Sequence, residues 1–151
     1  MLSFDITDRN IRVVKGVESN GKIKISSAAS LELEEDLIQN GHVKDVPSVA
    51  TLINGLLKKN RMPDKEAIVS ISSNLTIFKE LTVTKPKGGD MPKLVKAQMQ
   101  AELNLDDRYS VTYVIVGEAE EKSSDGDPVY KVLATACPYD IVNSYREVFK
   151  L

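Results

Sequence analysis

The chain has 151 residues, 42% of them hydrophobic and 28% charged, with 20 Lys+Arg against 22 Asp+Glu for a net charge of −2. That balance disfavours a nucleic-acid binder driven by phosphate neutralisation, and one cysteine with one histidine excludes a disulfide scaffold and a structural zinc site. No apolar run approaches the roughly 18–20 residues that span a bilayer, and the acidic start MLSFDITDRN is not a signal peptide; the expectation is a soluble cytoplasmic protein.

Leu2 to Ile6 predicts a short strand, followed by a polar turn at Thr7-Asp8-Arg9-Asn10. Ile11 to Glu18 alternates, Ser19-Asn20-Gly21-Lys22 signals a hairpin turn, and Ile23 to Leu33 supplies a third strand, so the chain opens as an antiparallel meander. Val49, Leu52, Ile53, Leu56 and Leu57 form one helical stripe, with Asp45 as N-cap and Pro47 in the first turn. Ala67 to Ile71 predicts a buried strand, and Leu75 to Val83 an alternating one. After the loop Lys85–Gly89, Asp90 caps a helix carrying Met91, Val95, Met99 and Leu103 on one row. Tyr109–Val116 and Val129–Ala136 predict two strands joined by a polar hairpin tip over 118–128. A last helix runs from Pro138 to about Lys150, with Ile141, Val142, Tyr145, Val148 and Phe149 as its buried stripe.

Few residues carry chemistry. His42 has no nucleophile or second ligand near it in the sequence, and reads as a loop residue beside the tight turn at Gly41. Cys137 reads as a small buried hydrophobe, Asp125-Gly126-Asp127 as a hairpin tip without the later ligands of a calcium loop, and the two methionines of the middle helix as core. No paired carboxylates, catalytic triad, phosphate-binding Walker loop or metal cluster is present, so no catalytic or metal-ligating residue is assigned.

The order of elements resembles a family. Phe4-Asp5-Ile6-Thr7 followed by Ile11-Arg12-Val13-Val14 is similar to the opening hairpin of the type IV pilus assembly protein PilM family and its relative FtsA. Gln39 to Asp45 before a Leu-rich helix resembles that family's lead-in to its first long helix. The stretches 67–83, 94–102, 113–117 and 133–138, the last with Val142 and Tyr145, resemble its strand, helix, two strands and helix, an SHS2-type insertion. The resemblance spans the chain and implies an α+β fold: a partial actin-like (ribonuclease H-like) subdomain 1A over residues 1–72, followed by an SHS2-type βαββα subdomain 1C over 73–151.

The resemblance implies a phosphate hairpin at Asp5, Thr7, Asp8, Arg9 and Asn10. It is degenerate here: Thr7 stands where a Gly is expected, and Asp8 sets a negative charge where phosphate oxygens would lie. The usual Pro-Phe after the middle helix is absent at Leu103–Asp107. The family continues into a second lobe that completes the ATP site, whereas this chain stops at Leu151. ATP and magnesium are therefore cofactors of full-length relatives, and this chain alone is expected to bind ATP weakly or not at all and to catalyse no hydrolysis.

The function implied is that of a cytoplasmic scaffold component of type IV pilus assembly, peripheral at the inner face of the cytoplasmic membrane. Its partner would be the N-terminal cytoplasmic tail of a PilN-type inner-membrane protein, held in a groove between the first subdomain and the insertion. Leu75, Ile77, Leu81, Leu94 and Gln98 are the expected contacts. Neither nucleic acid nor direct membrane insertion is implied, whereas an open edge in the first subdomain predicts edge-paired or domain-swapped homo-oligomers. The alternatives are an actin-like ATPase completed by a missing lobe, and a GspL- or FtsA-type scaffold.

Overall fold

The computed structural model describes residues 1–119 and 123–150. Part of the polar tip expected over 118–128, and the chain end at Leu151, lie outside the described residues. The chain forms two units, Met1–Asn74 together with the residues from Ile141 onward, and Leu75–Asp140.

The first unit is built on a four-stranded sheet. Strands β1 (Leu2–Ile6), β2 (Asn10–Ser19) and β3 (Lys22–Glu32) form the expected meander. After the two-residue strands β4 (Ile38–Gln39) and β5 (His42–Val43) and helix α1 (Val46–Lys59), strand β6 (Ala67–Ile71) joins β1 in parallel, giving the order β3-β2-β1-β6. The β2–β3 turn has Asn20 and Gly21 both at positive φ, 53° and 70°, as a two-residue hairpin with the right twist requires.

Alternation on β1 sets the core. Leu2, Phe4 and Ile6 are buried while Ser3 and Asp5 are exposed. Register places Phe4 beside Val13 on one side and Val69 on the other, and Ile6 beside Ile11 and Ile71. Directly paired residues share a face, so these side chains form one apolar surface. The opposite face is wet and carries the Asp5–Arg12 ion pair at 3.0 Å. Helix α1 contributes Val49, Ala50, Ile53 and Leu56 to the core. Its Asp45 cap accepts the Ser48 N–H at 3.0 Å, and Lys58 and Lys59 end it as its dipole favours.

The second unit comprises β7 (Ile77–Thr84), α2 (Met91–Leu103), β8 (Tyr109–Glu118) and β9 (Val129–Pro138). Its antiparallel sheet has the order β7-β9-β8. Val132, Ala134 and Ala136 of the central strand are fully buried, with Leu81 and Val83 from β7 and Met91, Val95 and Met99 from α2 completing the core. The two alanines leave room that the flexible methionines fill. Asp90 caps α2 by accepting the Lys93 N–H, and Asn104 in the left-handed conformation ends it.

One division differs from the sequence expectation. The last helix, α3 (Tyr139–Val148), does not complete a βαββα unit over 73–151: from Ile141 onward it belongs to the first unit, and the second is βαββ with its boundary at Leu75. The reason is the apolar face of β1. The Phe149 ring meets Phe4 edge-on at 5.1 Å, and Ile141, Tyr145 and Val148 are buried. Ser144 accepts the Val43 N–H at 3.3 Å and donates to the Ile141 carbonyl at 2.7 Å. Periodicity finds such a stripe but not the surface it meets.

Phe4→Ala is expected to lower stability by about 3–5 kcal/mol, as truncation of a buried aromatic does, in urea denaturation. Phe149→Ala, at a partly exposed ring, costs less and speeds amide exchange in β1 and β6. Acceleration confined to β7–β9 would return α3 to the second unit.

Candidate functional site

Three loops of the first unit meet at one end of its sheet. The β1–β2 turn is drawn inward onto its own threonine. Thr7 donates its N–H to the Asn10 carbonyl at 2.9 Å, and its hydroxyl accepts the N–H groups of Asn10 at 3.1 Å and Arg9 at 3.4 Å. Asp8 leaves this turn and accepts from the β4–β5 turn: its two carboxylate oxygens take the N–H groups of Asn40 and Gly41, each at 2.8 Å. Asn40 and Gly41 both have positive φ, 51° and 76°, so their N–H groups point the same way and form a small anion seat. Asp8 fills it.

The third loop closes over that turn. Ser73 donates its hydroxyl to the Asn40 carbonyl at 2.7 Å. A Cβ on Gly41 would stand 2.5 Å from the Ser72 carbonyl oxygen and 2.7 Å from the Ser73 Cβ, so only glycine fits there. Thr7, Asp8, Arg9, Asn40 and Ser72–Asn74 line a shallow recess of about 290 Å³. Asp5 lies outside it, paired with Arg12, and Asn10 is held in register with Glu32. Of the five residues expected to form a phosphate hairpin, Thr7, Asp8 and Arg9 are thus brought together, with anion-binding groups already engaged.

A larger hollow of about 450 Å³ opens beside β6, lined by Leu2, Phe4, Val69, Ile71, Val142 and Phe149 among others. Sequence reasoning did not single it out, because its walls come from strands and helices far apart in the chain. Its rim is charged. The Met1 ammonium lies 2.9 Å from Asp64 and the Lys15 Nζ 3.6 Å from it. The hydrogen bond from that ammonium holds the Asp64 carboxyl well below its ordinary value, at about 2; partial burial opposes the shift, and the N–H groups of Glu66 and Lys65 reinforce it.

The residues expected to contact a partner lie in the second unit. Leu75 is half exposed, and Ile77 and Leu94 pack partly buried against the core. Gln98 donates to the Thr82 carbonyl at 3.3 Å and to Glu102 at 2.9 Å. Leu81 is corrected: at 5% exposure it is a core residue, placed inward by the same alternation that buries Val83.

A family model described as "Type IV pilus assembly protein PilM" matches residues 3–150. The chain belongs to the PilM family. Its fold is similar to that of a solved structure entitled "PilM-PilN type IV pilus biogenesis complex", with a TM-score of 0.82 and 16% identity. The match covers 99% of this chain and 43% of that one, so the chain spans less than half the length of the matched chain. A comparison with curated proteins gives no match.

Among the described residues of this PilM-family chain, no group of three or more His, Cys, Asp or Glu is placed to hold a metal ion. No described helix is long and apolar enough to cross a membrane. His42 contacts Lys44 at 2.7 Å on the surface. Cys137 is half-buried rather than fully buried, with the Thr76 hydroxyl 3.6 Å from its sulfur.

Two outcomes test this geometry. Asp8→Ala loses both carboxylate bonds and is expected to cost about 1–3 kcal/mol, as bonds to charged groups do, with faster exchange at the Asn40 and Gly41 amides. A loss confined to other segments contradicts the seat. The Asp64 carboxyl should titrate by NMR with a midpoint near 2. Because its folded value is depressed, its stabilising contribution is complete above the ordinary Asp value of about 3.9 and fades as pH falls toward 2; a midpoint at the ordinary value contradicts the ammonium contact.

Proposed function

We propose that this chain is a scaffold component of type IV pilus assembly that binds the N-terminal cytoplasmic tail of a PilN-type inner-membrane protein and is held at the inner face of the membrane through it. The observation that carries the reading is the family match over residues 3–150. The fold shared with the chain of a PilM-PilN complex supports it. In this reading the first unit corresponds to a partial actin-like subdomain 1A and the second to an SHS2-type subdomain 1C. An extended tail docks by main-chain hydrogen bonds and by placing alternate side chains in apolar recesses. The half-exposed Leu75, the partly exposed Ile77 and Leu94, and Gln98 are the contacts assigned to it.

The same reading makes the chain alone neither an ATPase nor a tight nucleotide binder. A nucleotide site needs convergent polar groups. Here three N–H groups of the β1–β2 turn are spent within it, and Asp8 occupies the neighbouring seat.

Titrating the labelled chain with a PilN-type tail peptide should shift the resonances of Leu75, Ile77, Leu94 and Gln98. Shifts confined to Val69, Ile71 and Phe149 move the tail to the hollow; the absence of any shift overturns the scaffold reading. Calorimetry with ATP and magnesium should show no binding in the low-micromolar range, and affinity in that range would overturn the nucleotide proposal.

A further inference from the structure

The sheet of the second unit has two edges, β7 and β8, and they are treated differently. A sheet edge presents unpaired N–H and C=O groups, and proteins guard such edges with charge, cover or brevity. On β7, Gln98 covers the Thr82 carbonyl, and Lys79 pairs with Glu102 at 3.2 Å, with Glu80 beside it. In the first unit, β3 starts Lys22-Ile23-Lys24, and β6 is only five residues long. Among the described residues, strand β8 has none of these guards. It is ten residues long, and Tyr109 to Gly117 carries no charge. Val114, Ile115 and Val116 are 58%, 53% and 60% exposed.

We propose that β8 pairs antiparallel with β8 of a second copy of this chain about a two-fold axis, fusing two sheets into one. The uncharged stretch is compatible with itself: no like charges are opposed, whereas β3 against β3 would crowd lysines. Pairing of β8 with β9 is regular up to Ile115 and shifts between Ile115 and Gly117, which leaves 109–115 as the straight part of the edge. A two-fold axis at Thr112 sets Val111 across from Tyr113, and Tyr109 across from Ile115, of the second copy. Pairs of aromatic and β-branched side chains are favourable across strands. The flanking charges stay outside the paired stretch: Arg108, bonded to Asp106 at 2.7 Å, precedes the strand and Glu118 ends it. The occupant is a strand because the unmet groups are backbone, and a second copy because the segment complements itself.

Sedimentation equilibrium of the full chain across a concentration series tests the proposal, with amide exchange on the same samples. The mass should rise toward that of a dimer, and the amides of Tyr109–Ile115 should gain protection as it does. Thr112→Lys, which sets lysine across from lysine at the axis, and Val114→Lys, which sets a charge across from Ser110 on an otherwise uncharged edge, should each weaken the dimer by about threefold or more. Phe78→Lys on the other edge should leave it unchanged, with circular dichroism confirming that each variant is folded. A monomer at every concentration, a dimer indifferent to both β8 variants, or protection gained on another strand instead would overturn it.

Discussion

The central strand β1 needs cover on one face, and most of the first unit follows from that need. Leu2, Phe4 and Ile6 all point to the same side. Burying side chains of this size is worth about 1.5–3 kcal/mol each, far more than a surface ion pair such as Asp5–Arg12 contributes. Strands β2 and β6 extend the apolar face in register, α1 covers part of it, and the end of α3 sets Phe149 against Phe4. The chain leaves this unit at Leu75, builds a second core of its own around Val132, Ala134 and Ala136, and returns at Ile141. The return is what makes the second unit an insertion rather than a tail.

At the end of the same sheet, an acidic side chain sits on two converging backbone N–H groups. A turn with two consecutive positive φ angles attracts anions through its aligned dipoles. The protein supplies the anion itself, from Asp8. The effect is to fasten the β1–β2 turn to the β4–β5 turn, and Ser73 fastens the latter to the stretch after β6. An arrangement that in another chain would receive a ligand here joins three loops.

Local signals were legible in the sequence. Asp45 and Asp90 cap the helices they were assigned to, Asn20-Gly21 makes the hairpin turn, and the methionines of α2 lie in the core. Each depends on neighbours within four residues. The ribbon β4–β5 was hidden because two-residue strands carry no periodicity. The placement of α3 was hidden because a stripe of Ile141, Tyr145 and Val148 fits any apolar surface. The partner of Asp8 lies 32 residues away, so only its charge was visible, not the seat it fills. Leu81 was assigned to a partner-binding seam between its strand and the following helix, although the alternation on β7 already favoured burial for it together with Val83.

The chain belongs to the PilM family and shares the fold of a solved relative; the scaffold role proposed for it leaves recognition to apolar surface and strand edges. The most direct measurement is the affinity of the chain for a PilN-type tail peptide, against a scrambled peptide of the same composition, by calorimetry. The account predicts saturable one-to-one binding of the native order alone. Equal heats for the two peptides, or none for either, would contradict it.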